Sequence, residues 1–378
     1  MIPLSLYIHI PWCEKKCPYC DFNSHQAKDD IDEPAYINAL LSDLNKDLEH
    51  YRKVLDGRTI TSIFIGGGTP SLFSSTSIAQ LLESIEQQIS FSNDIEITLE
   101  ANPSSSEINK FTAFRAAGIN RLSIGVQSFN PTHLQSLGRI HSSQEALSAG
   151  QAARAAGFDN FNLDLMFGLP KQSLQQSLED LEQALALKPT HLSCYQLTIE
   201  PNTLFHSQPP VTPSNETLWA MQNVLQEKLQ DKQYHQYEVS AYSQINRRCQ
   251  HNLNYWQFGD YLGIGAGAHG KISSANGQVE RSWKIKHPAS YIEKQDKLGE
   301  RNLVAPSQLP FEFLLNALRL TNGFDLSLFE KRTFQSIDCI NEPLQKHLNL
   351  GLLERKNDLI TPTDRGKQML DSLLQDYL

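Results

Sequence analysis

The chain has 378 residues, 40% of them hydrophobic, which is enough apolar material for two or three domains with buried cores. Forty-two acidic against 33 basic residues give a formal net charge of −9, which argues against a nucleic-acid partner, whose phosphates need clustered Lys and Arg. No stretch reaches the roughly 20 apolar residues of a transmembrane segment and no export signal is evident, so a cytoplasmic protein is expected, reaching a membrane only peripherally through a partner.

The first predicted element is a strand, "LSLYIHI" (Leu4–Ile10). It leads into Cys13, Cys17 and Cys20, spaced C-x3-C-x2-C, and Pro18 within that spacing predicts a wrapped loop rather than a continuous helix. The other cysteines, at 194, 249 and 339, are scattered, so the set does not read as a disulfide framework. Three clustered thiols call for a metal. On the residues alone two readings stay open: zinc completed by His25, or an iron–sulfur cubane with one iron lacking a protein ligand.

Ile37, Leu41, Leu44, Leu48, Tyr51 and Leu55 then recur at helical steps. Five further strands are predicted: Thr61–Ile65, Ile95–Ala101, Arg121–Val126, Asn160–Met166 and His191–Leu197. Helix starts of the S-x-x-E/Q form fall at Ser104–Glu107, Ser142–Glu145 and Ser173–Gln176, and Gly118 and Gly157 suit helix ends. "RAAG" at Arg115–Gly118 returns 39 residues later at Arg154–Gly157, each time before a strand, which fits one βα unit. An α/β fold follows, and a partial (βα)6 barrel is preferred to an open doubly wound sheet.

In such a barrel functional groups collect where strands end. Those positions hold "GGGTP" (Gly66–Pro70), Glu100 in "LEANP", Gln127 in "GVQSF", Arg139 in "LGRIH" and Asp164 in "NLDLMFGLP". Singly, each is also compatible with a tight turn or an ordinary polar residue.

After "PPVTPSN" (Pro209–Asn215) the alternation stops. A helix with Leu218, Met221, Leu225 and Leu229 is expected, then a strand-like "YEVSAY", then a loop rich in Trp, Tyr, His and Gly through residue 270. That loop contains "HNLNYW" (His251–Trp256). It also contains "GAGAHG" (Gly265–Gly270), which has the G-x-G-x-x-G form but precedes no amphipathic helix, so no dinucleotide site is expected. Gly299–Gln308 reads as a linker to a helix, a hairpin and a further helix, a small winged-helix-like α+β domain with a scaffolding role. The expected divisions are 1–210 for the barrel, 211–298 for a barrel-associated extension and 299–378 for the C-terminal domain.

"CEKKCPYC" (Cys13–Cys20), with an aromatic before its last Cys, resembles the signature of the radical S-adenosylmethionine (SAM) superfamily. The run "YIHIPWC…GGGTP…LEANP…GVQSF…LGRIH…DLMFGLP" resembles the oxygen-independent coproporphyrinogen III oxidase family over most of the first 200 residues. The resemblance implies a [4Fe–4S] cluster on Cys13, Cys17 and Cys20, with the amino and carboxylate groups of SAM on the fourth iron. It further implies SAM contacts from Tyr7, Gly67, Gly68, Thr69, Glu100, Gln127, Arg139, Asp164 and Thr198.

Two departures bear on activity. The oxidases have a further Cys two positions after the third ligand, where Phe22 stands, and a longer segment before the cluster. The chain is therefore more similar to the family's heme chaperone branch, in which the H-N-x-x-Y-W element, here His251, Asn252, Tyr255 and Trp256, is associated with heme binding. A His imidazole can ligate heme iron and aromatic rings can cover a porphyrin, although the same residues could fill a core. His269 could line a tetrapyrrole pocket. The implied function is carriage of heme to heme-requiring, respiratory acceptor proteins, with oxidative decarboxylation of coproporphyrinogen III as the alternative and a homodimer left open.

Overall fold

Six strands lie side by side in chain order, each parallel to the one before: β1 (Leu4–Ile10), β2 (Ile60–Gly67), β3 (Phe91–Ala101), β4 (Arg121–Gln127), β5 (Phe161–Phe167) and β6 (His191–Gln196). These positions come from a computed structural model, which describes residues 1–27 and 30–378. A sequential order has no switch point at which crossovers change face, so right-handed connections all pass on one side and the sheet curls about the other. The result is the expected partial (βα)6 barrel.

Alternation along the strands divides their side chains. Leu6, Ile8, Ile63, Ile65, Leu99, Leu122, Ile124 and Leu163 are buried in the main core. Covering it are α1 (Glu33–His50), α2 (Ser75–Gln88), α3 (Ser143–Ala155) and α4 (Leu174–Ala186). The alternate positions are polar instead: Ser5, Ser62, Glu96, Thr98, Arg121, Ser123, Asn162, His191 and Ser193. A core this polar is costly unless its groups are paired, so it marks a working interior.

The starts of α3 and α4 are reciprocal capping boxes, Ser142 with Glu145 and Ser173 with Gln176. The third expected box does not form. The Ser104 side chain caps nothing, and Glu107 turns inward to accept the Asn102 N–H at 2.7 Å and the Ser71 hydroxyl. Packing has overridden a local signal.

The sheet continues past both edges. Beyond α5 (Asn215–Asp231), β7 (His235–Gln236) pairs with β8 (Ala241–Ser243), which runs antiparallel to β6. On the other side β9 (Asp260–Ile264) is parallel to β1, and β10 (His269–Ser273), β11 (Val279–Lys284) and β12 (Leu298–Leu303) follow antiparallel. Two expectations are corrected here. The stretch through residue 270 is not a loop but α6 (Gln250–Trp256), β9 and the start of β10. The first half of the expected linker is β12, bonded along β11. Both depend on partners distant in sequence. Glu96 Oε1, from inside the barrel, accepts the backbone N–H groups of Gln250 at 2.9 Å and His251 at 3.2 Å and so caps α6, while β9 needs the free edge of β1.

The C-terminal part has its own core around Phe313, Phe324, Phe329 and Ile360. Its helices α7 (Leu309–Ala317), α8 (Leu326–Thr333) and α9 (Asn341–Asn349) precede a hairpin of Leu353–Lys356 and Leu359–Pro362, the winged-helix-like arrangement expected. No described helix is long and apolar enough to cross a membrane.

The edge extension is fastened to α1 by a buried cation: Lys284 Nζ lies 2.7 Å from Asp43 Oδ1 and 2.7 Å from Asp47 Oδ2. Lys284→Ala leaves Asp43 without a cation and is expected to cost roughly 3–5 kcal/mol in urea unfolding. An unchanged midpoint would show that the cluster does not hold the extension in place.

Candidate functional site

Beyond β1 the chain enters the cysteine loop, which rests on the end of β2. Gly68 N–H donates to Ile10 O at 2.7 Å and Thr69 N–H to Trp12 O at 2.6 Å, while Ala27 N–H returns to Cys13 O at 2.9 Å. This approach requires glycine: a Cβ on Gly68 would lie 2.4 Å from Trp12 O. Gly67 has φ +116°, and a Cβ there would meet the His9 ring at 2.5 Å. "GGGTP" is therefore the seat of the cysteine loop rather than an incidental turn.

Cys13, Cys17 and Cys20 are unbridged and half-buried, and they line one cavity of about 400 Å³. His25 lies outside that lining, its ring edge-on to His287 with centroids 5.8 Å apart. Among the described residues no three His, Cys, Asp or Glu side chains gather as they would around a single metal ion. His25 therefore does not share the cavity with the three cysteines. Three thiols facing a cavity too large for one ion suit a cluster with a free corner.

Eight of the nine residues expected around SAM line this cavity with the cysteines: Gly67, Gly68, Thr69, Glu100, Gln127, Arg139, Asp164 and Thr198. Tyr7 does not. Its hydroxyl is 2.9 Å from His9 Nδ1 and its ring stacks on Phe64. Glu100 accepts the Gly67 N–H at 3.0 Å. Burial and then the charge of Asp164 push its pKa up to about 7, against the pull of that N–H. Asp164 accepts from Asn162 Nδ2 at 2.8 Å and Ser123 Oγ at 3.2 Å. Arg139 Nη2 donates to Asn102 Oδ1 and to Gly125 O, both at 2.7 Å, which leaves Nη1 3.8 Å from Cys17 Sγ. A guanidinium so fixed stabilises negative charge on sulfur.

Motif reading missed several lining residues, among them Asn102, Arg121 and Tyr195. Asn102 was within reach, since "LEANP" contains it. Arg121 opens a strand, and only the curl of the sheet turns it inward.

The "HNLNYW" residues occupy α6 against the inner face of the barrel, and only Asn252 reaches the cavity. His251 is 1% exposed. Its Nδ1 is 3.2 Å from Ser62 Oγ, its ring packs on Phe64 and Tyr255, and burial pulls its pKa down to about 3. Its Nε2 has no hydrogen-bond partner among the described residues. Tyr255 is edge-on to Tyr261, and Trp256 lies under the Arg319 guanidinium. The element is assembled but packed inward.

A three-cysteine loop over a cavity at the strand ends of a partial barrel defines the radical SAM class, and the radical SAM superfamily model matches residues 7–184. The model of the HemN C-terminal domain matches residues 304–369. The heme chaperone HemW of Haemophilus influenzae is 48% identical over 376 residues, covering 100% of this chain and 98% of the relative. HemW of Escherichia coli is 46% identical with the same coverage, and HemW of Bacillus subtilis is 32% identical over 99% of both chains. The chain belongs to the HemW family. The solved structure of coproporphyrinogen III oxidase (HemN) from Escherichia coli aligns with a TM-score of 0.81 at 23% identity, covering 100% of this chain and 90% of that one, a likeness of fold alone.

Glu100 sets a pH dependence. Its folded pKa of about 7 lies above its ordinary value of 4.5, so the folded state binds the proton more tightly and stability falls as pH rises between the two. Glu100→Gln is therefore expected to raise the melting temperature of the cofactor-free protein at pH 8 but not at pH 5. An equal shift at both would contradict this.

Proposed function

We propose that this chain is a heme carrier: it holds a [4Fe–4S] cluster on Cys13, Cys17 and Cys20, binds SAM in the adjoining cavity, and passes heme to heme-requiring acceptor proteins in the cytoplasm or at a membrane. What carries the reading is similarity along the whole chain, 48% and 46%, to proteins named heme chaperones. Phe22 agrees with it: this side chain, 60% exposed at the cavity mouth, offers no thiol where the oxidases resemble one another in having one.

When bound, the cluster and SAM supply one-electron chemistry at a sulfonium. The chain's own part is positioning. Gly67, Gly68 and Thr69 bring backbone close to SAM, Glu100 accepts hydrogen bonds from its ribose or amino group, and Gln127, Asp164 and Thr198 complete the wall. Arg139 holds positive charge beside Cys17, and Tyr7 acts from behind through His9. His251, Asn252, Tyr255 and Trp256 form the heme element of this reading, reached once α6 moves out of the barrel.

Anaerobic incubation of the reconstituted protein with SAM, a reductant and coproporphyrinogen III is expected to yield no protoporphyrinogen, while hemin binds the same preparation. Accumulating protoporphyrinogen would replace the carrier with the oxidase. Cys17→Ala is expected to abolish the iron–sulfur absorbance, and a spectrum like that of the parent chain would remove Cys17 from the ligand set. A hydrogen bond to a charged group contributes about 1.5–3 kcal/mol, so Glu100→Gln is expected to weaken SAM binding by at least about tenfold in calorimetry. Unchanged affinity would place SAM elsewhere.

A further inference from the structure

The inner end of the cavity holds a cation that none of the expected SAM contacts accounts for. Arg121 opens β4 and Gln127 closes it, so about 20 Å of strand separates the root of this side chain from the end where SAM is expected. Arg121 is 2% exposed and lines the cavity. Of its five N–H donors, one makes a hydrogen bond among the described residues, from Nη1 to Thr98 Oγ1 at a long 3.5 Å, and Nε has no partner. Glu96 Oε2 stands 4.0 Å from Nε, beyond hydrogen-bond reach. Leaving charged donors unmade in a buried place is costly, so spare donors there mark a position for a ligand's acceptors.

We propose that Arg121 and Asn252 form a carboxylate-binding subsite at the inner end of the cavity, which takes a small organic acid alongside SAM. The subsite goes beyond the heme-carrier reading and stands whether or not the chain takes up heme. Asn252 reaches the cavity from α6, and Glu96 ties that helix to Arg121: its Oε1 accepts the N–H groups of Gln250 and His251, just before Asn252, while its Oε2 faces the guanidinium. The guanidinium fork matches the two oxygens of a carboxylate, and an Asn amide adds a neutral donor. Phe64, also in the lining, gives the body of the acid an apolar wall. A cavity of about 400 Å³ shared with SAM leaves room for a small body only.

The neighbouring groups narrow the class of ligand. Glu96 and Asp164 both place negative charge near Arg121, so a singly charged anion is tolerated where a doubly charged phosphate is repelled. Both acids are already engaged, Glu96 by the start of α6 and Asp164 by Asn162 and Ser123, and neither supplies the missing acceptors. His191, in the same lining, has no nitrogen to offer: Nδ1 is 2.7 Å from Asn162 Oδ1 and Nε2 is 2.8 Å from the Tyr237 hydroxyl. The carboxylate of SAM itself is expected on the fourth iron, at the other end of the cavity.

The test is a calorimetric titration of the anaerobically reconstituted full chain with sodium propionate, with sodium phosphate, and with sodium chloride at equal ionic strength. Propionate is expected to bind, phosphate to bind more weakly, and chloride to give no heat of binding. Arg121→Lys keeps the charge but not the fork, and Asn252→Ala removes the amide. Losing a charge-assisted hydrogen bond costs about tenfold or more, so each variant is expected to bind propionate at least about tenfold more weakly than the parent. Circular dichroism checks that Arg121→Lys folds; where it does not, Asn252→Ala, at a half-buried position, carries the comparison. SAM titrated into the parent at saturating propionate is expected to keep its affinity. Propionate that binds no better than chloride, or no better than phosphate, would overturn the subsite, and so would parent-like binding in either folded variant. Propionate that displaces SAM would overturn it too, by placing the anion in the pocket of SAM itself.

Discussion

Two backbone hydrogen bonds, from Gly68 N–H to Ile10 O and from Thr69 N–H to Trp12 O, bring the cysteine loop down onto the end of β2. Both are short, and any side chain at Gly68 would force the strands apart. With the loop seated there, the cysteines share one cavity with Glu100 from β3, Asp164 from β5 and Arg139 from the segment between β4 and α3. The chemistry of the site follows from that contact. Three sulfurs face an opening, a fixed guanidinium stands beside one of them, and a carboxylate poised near neutrality lines the wall.

A second constraint acts at the other end of the cavity. Glu96 reaches from β3 to cap α6, and Arg121 lies 4.0 Å from the same carboxylate. One acidic side chain therefore fixes the helix that carries "HNLNYW", and Asn252 on that helix forms part of the cavity lining. Asn252 thus joins α6 directly to the wall of the cavity.

Much of this was legible in the sequence. The strands of the barrel were visible because each is a short β-branched or apolar run, and their sequential order because every crossover was long enough for a helix. The clustered cysteines and the strand-end motifs placed all but one of the expected SAM residues around one cavity, Tyr7 being the exception. What stayed hidden depended on distant partners. Nothing local to Gln250–Trp256 announces a helix, since its cap comes from Glu96. The strand at Leu298–Leu303 looks like a linker until β11 lies beside it. Ser104–Glu107 misled for the same reason, because Glu107 is recruited by Ser71 and Asn102. The placement of His269 opposite Trp283 across the β10–β11 pair is likewise a property of register, invisible along the chain.

The most direct test of the open-cornered cluster is electron paramagnetic resonance of the anaerobically reconstituted, reduced protein with and without SAM. A cubane held by Cys13, Cys17 and Cys20 alone gives a [4Fe–4S] signal whose g-values move when SAM joins the fourth iron. A cubane signal indifferent to SAM, or no cluster after reconstitution, would contradict the account.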